Sequence, residues 1–239
     1  MFKGKNVLIT GGTGFIGSEI CRLFKEYNAN VIFTYNKNEV KAQKLSEEID
    51  CISIPVDLGD VNDIKSKIEK LYNEIDSIDV LVNNAAISQI LPLSMLDEED
   101  VDAVMDINLK GTLFVTKAVI RGMIRHRSGA VVNLGSIAGH RMLDVPVTYA
   151  MTKASISGMT VALASEFKKF KIRVNSVVPG LIDGGVATGV PDELREDFIK
   201  HCLTGRAGTA REVAEVVCFL ASDKASYING QNIMVDGGI

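Results

Sequence analysis

Short, uniformly apolar runs alternate along the chain with longer stretches in which apolar positions recur every three or four residues. Runs that are apolar at every position, without a polar alternate, mark strands buried on both faces, as in parallel sheets. Seven strands are predicted, at residues 5–10, 30–35, 51–56, 78–82, 130–134, 173–178 and 232–235. The periodic stretches predict helices at 16–27, 39–48, 61–73, 97–126, 147–170 and 211–221. Strands separated by helices, joined by right-handed crossovers, give an α/β fold: a doubly wound parallel sheet with helices on both faces. Neither a repeat nor a linker interrupts residues 1–239, so a single domain is expected. The irregular segment 184–203, with Gly184, Gly185, Gly189 and Pro191, reads as a mobile lid around a short helix.

Composition narrows the function classes. The chain has 239 residues, 46% hydrophobic and 23% charged, with a formal net charge of −4. That balance offers no broad attraction to nucleic acid or an anionic membrane. The apolar run in MFKGKNVLITGG is too short for a signal peptide, and no stretch has the length to insert in a bilayer, so a cytoplasmic location is expected. Cys21, Cys51, Cys202 and Cys218 lie far apart and read as reduced thiols. His126, His140 and His201 lack metal-ligand spacing, so no metal is expected.

The first strand runs into Thr10-Gly11-Gly12-Thr13-Gly14-Phe15-Ile16-Gly17. A glycine turn between strand and helix lets a pyrophosphate approach the backbone and meet the positive end of the helix dipole. Candidate cofactor contacts are Gly11, Thr13, Gly14, Phe15, Ile16 and Gly17. Asp57 and Leu58, after the third strand, are placed to meet an adenine, and Asn84, Ala85 and Ala86 follow the fourth strand. After the second strand come Tyr35, Asn36 and Lys37, with no acid to accept from a ribose 2′-hydroxyl. One cation in that place favours NADPH over NADH.

Tyr149 and Lys153 stand four apart and share one face of a helix. A nearby ammonium is expected to lower the phenol pKa toward the working range and to hold the nicotinamide ribose. Ser136, just past the fifth strand, can polarise a carbonyl, and Asn108, within a helix, can anchor a water leading from Lys153 to bulk.

With these motifs in hand, the chain resembles the short-chain dehydrogenase/reductase family over essentially its whole length. The glycine turn, NNAA, the asparagine of INLKG, the serine of NLGS, YAMTK and VVPG stand in family order. The resemblance implies a Rossmann-type dinucleotide-binding and catalytic domain and a catalytic tetrad of Asn108, Ser136, Tyr149 and Lys153. It also implies that Pro179, Gly180 and Ile182 bound the nicotinamide. Distributed stretches (NLKGTLFVTKAV, GRAGTAREVAEVVCFLASD, YINGQNIMVDGG) are most similar to its 3-oxoacyl-[acyl-carrier-protein] reductase branch. That branch implies NADPH-dependent ketoreduction of a carrier-bound β-ketoacyl thioester, in fatty-acid synthesis or for a specialised polyketide- or polyene-like chain. It also implies a homotetramer or homodimer, and carrier docking at Arg127, flanked in function by Lys168 and Lys169, beside the active-site entrance.

The chain departs from the family pattern at three places. In the turn, Phe15 stands where the middle glycine is usual and Gly14 where NADP-preferring members often carry a basic residue; Ala86 replaces the last glycine of NNAG, and Gly184 replaces a common threonine. Two other functions stay open at this point: a reductase or alcohol dehydrogenase for a small free ketone, sugar or steroid-like substrate, and a non-catalytic nucleotide-binding redox sensor.

Overall fold

A computed structural model describes the backbone of residues 1–239 and every side chain except those of Val186 and Ala187. The chain runs β1 (Asn6–Ile9), α1 (Phe15–Glu26), β2 (Asn30–Tyr35), α2 (Glu39–Ile49), β3 (Ile52–Pro55), α3 (Val61–Glu74) and β4 (Val80–Asn83). It continues through α4 (Glu98–Met105), α5 (Thr112–His126), β5 (Gly129–Leu134), α6 (Val147–Phe167), β6 (Ile172–Pro179), α7 (Asp192–His201), α8 (Ala210–Ala221) and β7 (Asn232–Val235).

All seven strands are parallel and lie in the order β3-β2-β1-β4-β5-β6-β7. The uniform apolar runs explain this sheet. Successive side chains point to opposite faces, so Val7 and Ile9 enter one core while Leu8 enters the other. Val31 and Phe33 divide from Ile32 in the same way, as do Val80 and Val82 from Leu81. The first core is closed by α1, α2 and α8, the second by α3, α5 and α6. Two consecutive strands of the sequence, β3 and β4, sit on opposite sides of β1, so the winding reverses between β1 and β4. Ligands of open α/β sheets bind at the carboxyl ends of strands beside such a reversal.

Three elements differ from the sequence pattern. The helix predicted at 97–126 contains a π-helical turn, Asp106–Gly111, between α4 and α5. One extra residue per turn leaves the apolar period nearly continuous, which is why the pattern does not reveal it. The helix predicted at 147–170 ends at Phe167 and tightens into a 3₁₀ turn, Lys168–Phe170. The segment 184–203 is more regular than predicted, with a 3₁₀ turn at Gly185–Gly189 and then α7. Among the described residues, no helix is long and apolar enough to cross a membrane.

Candidate active site

The crevice between β1 and β4 is floored by main chain. The turn after β1 folds tightly on itself: Gly14 N–H donates to Gly11 O (3.0 Å) and Gly12 N–H donates to Thr34 O (2.9 Å). Gly11 adopts φ +68°, a conformation that costs glycine nothing and other residues something. Asn84, at the end of β4, clamps the turn by donating from Nδ2 to Thr10 O (2.9 Å) and Gly11 O (3.1 Å). A Cβ on Gly17 would meet Gly11 O and lie 2.6 Å from Asn84 Nδ2.

This turn opens a helix whose first donors are left over. Gly14 caps α1 without a side-chain bond, and the first turn of the helix carries no acid. The N–H groups of Phe15, Ile16 and Gly17 open the helix, where the first donors have no intrahelical acceptor. Such a donor set, at the positive end of a helix dipole, fits the diphosphate of a dinucleotide. Thr13, half-buried, sits in the same turn.

The remaining cofactor candidates ring the same edge. At the end of β2, Tyr35 packs against the first core while Asn36 and Lys37 are exposed. Asp57 follows β3 and turns Oδ1 back to accept from Gly59 N–H (2.9 Å), and Leu58 beside it is buried. Ala85 N–H donates to Thr10 Oγ1 (3.1 Å), and Ala86 follows at the same strand end. After β6, Gly180 N–H donates to Val235 O (3.0 Å) and Ile182 pairs with Gly208. Pro179 closes β6.

Side chains rather than main chain form the other end of the crevice. Ser136, immediately past β5, accepts from Ala138 N–H (3.1 Å), and its hydroxyl lies near enough to the Tyr149 phenol to lower that group's pKa. Tyr149 lies in the first turns of α6, and Lys153 stands one turn further, buried, with Nζ 5.7 Å from the Tyr149 ring centroid. Nζ donates to Leu134 O (2.7 Å), the last carbonyl of β5. The structure therefore brings Ser136, Tyr149 and Lys153 into one cluster. Among the described residues, Asn108 makes no hydrogen bond to these three. Its Oδ1 accepts from Ile87 N–H (2.8 Å), and its Nδ2 donates to Ile87 O (2.8 Å) and Thr152 Oγ1 (3.3 Å). Asn108 is buried in the π-helical turn, and its side chain ties that turn to Ile87 and to Thr152 of α6.

The electrostatics correct one expectation. Burial raises the Tyr149 pKa, and the neighbouring Ser136 hydroxyl only partly opposes it. Burial also lowers the Lys153 ammonium from 10.5 to about 8. Both groups sit out of water, and desolvation favours the neutral form of each. The ground state is thus a protonated phenol beside an ammonium that is close to releasing its own proton.

Several supporting residues are not among the candidates. Asn83 and Asn133 face each other across β4 and β5, with Asn83 Nδ2 donating to Asn133 Oδ1 (2.8 Å) and Thr116 Oγ1 (2.9 Å). Asn133 Nδ2 continues to Thr160 Oγ1 (2.8 Å), so side chains tie α5, β4, β5 and α6 together. His140 Nε2 pairs with Ser157 Oγ (2.8 Å), fastening the segment after Ser136 to α6. The one signal for such residues is a lone polar side chain inside an apolar strand, as in AVVNL.

Arg127, Lys168 and Lys169 do form one exposed patch, with an Arg127 amino group donating to Lys169 O (2.9 Å). Its position differs from the expectation. Arg127 precedes β5 and the lysines precede β6, so the patch lies at the amino ends of the strands, whereas Ser136 and Tyr149 lie at the carboxyl end. A helix that packs antiparallel to its strand carries the chain from one edge of the sheet to the other, and neighbours in sequence thereby end up apart.

Comparison with known proteins is consistent with this geometry. Residues 13–239 match the family described as enoyl-(acyl carrier protein) reductase. The chain is 40% identical to a 3-oxoacyl-[acyl-carrier-protein] reductase of Chlamydia muridarum, covering 100% of this chain and 98% of that protein. It is 39% identical to the reductase of the same name from Thermotoga maritima, covering 99% and 98%. Among solved structures, a 3-oxoacyl-[acyl-carrier protein] reductase from Brucella melitensis superposes with TM-score 0.92 at 32% identity, over 99% of this chain and 91% of that one. A protein described as a short chain dehydrogenase/reductase family protein superposes with TM-score 0.89 at 30% identity, over 99% and 97%.

Proposed function

The chain belongs to the short-chain dehydrogenase/reductase family and is an oxidoreductase, and we propose that it reduces a 3-oxoacyl thioester on an acyl carrier protein to the 3-hydroxyacyl thioester with NADPH. The observation that carries this reading is the grouping of Ser136, Tyr149 and a buried Lys153 at the carboxyl end of β5. Two hydroxyls at one point can together receive a single carbonyl oxygen. A reduced nicotinamide, when bound, supplies the hydride for the carbonyl carbon. Gly11, Thr13, Gly14, Phe15, Ile16 and Gly17 would hold its diphosphate, Asn36 and Lys37 the 2′-phosphate, and Asp57 and Leu58 the adenine.

Ser136 orients the carbonyl and steadies the negative charge that grows on oxygen. Tyr149 gives up its proton to that oxygen. A raised phenol pKa suits this direction, because the donor must be protonated at the start and an alkoxide is a stronger base than a phenolate. Lys153, near its titration point, stabilises the resulting phenolate and returns a proton to it. Asn108, fixed on Ile87, orders the route by which that proton is replaced.

The relatives' names divide between 3-oxoacyl and enoyl reduction. Ketoreduction delivers its proton to oxygen, which two convergent hydroxyls serve directly, and this favours the first. Absorbance of NADPH decides the matter. Oxidation should be fastest with a 3-oxoacyl thioester; activity confined to a 2-enoyl thioester, or to small free ketones, overturns the proposal. Extending the series over chain length separates general fatty-acid synthesis from a specialised acyl chain.

The same proposal includes a cytoplasmic homotetramer and a carrier that docks on Arg127, Lys168 and Lys169. Exposed Leu113 on α5 with Met151 and Val161 on α6 supports pairing of those helices between protomers. Because the basic patch lies at the opposite sheet edge from Tyr149, a carrier docked there would serve the site of a neighbouring protomer. The segment 184–203 is proposed as the lid.

A further inference from the structure

Two of the three departures from the family pattern are halves of a single contact. Phe15 opens α1 with its ring left largely outside the core, and Gly184 and Gly185 pass across that ring. A Cβ built on Gly184 would lie 2.6 Å from Phe15 Cζ and 2.7 Å from Cε2; one built on Gly185 would lie 2.9 Å from Phe15 Cβ. Both glycines have positive φ, +124° and +63°. The main chain therefore crosses the ring so closely that a side chain at Gly184 would push the ring aside, in a conformation that favours glycine.

The surroundings give this contact leverage. Just before it, Asp183 N–H donates to Gly208 O (2.8 Å) and Gly208 N–H donates to Leu181 O (2.9 Å), which fixes the chain to the approach to α8. Asp183 also receives Arg195 of α7 (2.6 Å). Residues 183–185 are thus the point where α7, the sheet edge and the glycine turn meet. On the other side, Phe15 is itself the first residue of the donor set, so its main chain faces the diphosphate position while its ring faces the lid base.

We propose that Phe15 and the Gly184–Gly185 pair form a clasp across the dinucleotide's diphosphate, and that Phe15 is a positioning residue setting how fast the dinucleotide leaves. The inference rests on the reading of the glycine turn as the dinucleotide site. The ring holds the lid base over the turn, so departure of the cofactor requires the glycine pair to slide off it. A smaller side chain at position 15 removes the obstacle without disturbing Tyr149, Ser136 or Lys153.

The test is release of NADPH followed by nicotinamide fluorescence, in the absence of any acyl substrate. Measurable binding of NADPH or NADH to the unaltered protein is the first requirement, and its absence refutes the dinucleotide site itself. Given binding, Phe15→Ala should speed dissociation by about tenfold and raise Kd in step, while KM for the thioester changes less than about twofold. Phe15→Tyr, which keeps the ring, should behave like the original protein. Gly184→Ala carries the strain of its positive φ in either background, so the contact with the ring should show as an added loss of binding with Phe15 present that disappears in the Phe15→Ala background. Dissociation unchanged in Phe15→Ala, or the same penalty for Gly184→Ala in both backgrounds, overturns the clasp while leaving the dinucleotide site intact. Melting curves of each variant separate these outcomes from misfolding.

Discussion

At the β1 turn, the groups that face the crevice are main-chain N–H groups, and side chains are present chiefly by their absence. A Cβ on Gly17 has no room, and Gly14 offers no capping oxygen. At the β5 end the opposite holds: Ser136, Tyr149 and Lys153 present side chains, Ser136 held by Ala138 N–H and Lys153 by Leu134 O. The comparison teaches where binding and chemistry reside. Main-chain donors are indifferent to which reaction follows, so the turn end should set affinity alone. Side-chain groups with shifted pKa values are specific to a proton transfer, so the β5 end should set rate alone.

Tyr149→Phe breaks the comparison hardest if it is mistaken. Removing the hydroxyl takes away the proton donor while leaving the ring, so kcat should fall by about 10³-fold, within the usual range for a general acid. Kd for NADPH should stay within about twofold, as measured by fluorescence titration. A similar loss in both quantities would show that the two ends do not divide the work. Gly17→Ala is the mirror experiment. The added methyl meets Gly11 O and Asn84 Nδ2, and relieving an overpacked contact of this kind costs about 1–3 kcal/mol. Kd should rise by about 30-fold, with kcat at saturating cofactor nearly unchanged.

The two ends are also unequally legible in the sequence. The β5 end is written in residue types whose chemistry is explicit, but the spacing of Tyr149 and Lys153 gains its weight only from Ser136, Asn108 and the glycine turn standing with it in one order along the chain. The strands are legible because Val7, Leu8 and Ile9 leave no polar face, and only a sheet covered on both sides explains that. The hidden features depend on distance in three dimensions. Along the chain Phe15 and Gly184 are two unrelated losses; the fold places one against the other. The basic patch around Arg127 shows in the sequence, but its edge of the sheet does not, because that follows from the direction of α5 and not from local pattern. The Tyr149 shift runs opposite to the direction its spacing from Lys153 suggests, because spacing reveals a neighbouring charge and says nothing about burial.

Lys153 sharpens the comparison by a stability measurement. Its folded pKa of about 8 against 10.5 unfolded corresponds to a cost to the fold of about 3 kcal/mol. The sign follows from proton counting: between about 8 and 10.5 the unfolded chain binds the proton more readily, so stability rises with pH across that window. The cost is complete below about pH 8. Lys153→Met should therefore be inactive yet more stable at pH 7, by about 1–2 kcal/mol once the lost bond to Leu134 O is counted. That is about 2–6 °C in melting temperature, fading as the pH rises toward 10.5. An equal gain at every pH would mean that the lysine is not desolvated.

The smallest expected effect lies at Lys37 and bears on how sharply the turn end discriminates. Its ammonium is exposed at the end of β2, with Asn36 beside it and no carboxylate in the strand's last residues. An exposed contact is screened by salt and is worth about 1 kcal/mol. Lys37→Ala should therefore lower the preference for NADPH over NADH by about fivefold, almost wholly through weaker NADPH binding. The loss should shrink as ionic strength rises, because the attraction it removes is already screened. Unchanged NADH binding is the informative control. It assigns the effect to the 2′-phosphate, whereas a parallel loss for both cofactors would place Lys37 in general support of the turn. If the preference does not move at all, discrimination must come from Asn36 or from the main chain of β2, and the turn end would then read its ligand with no side-chain charge.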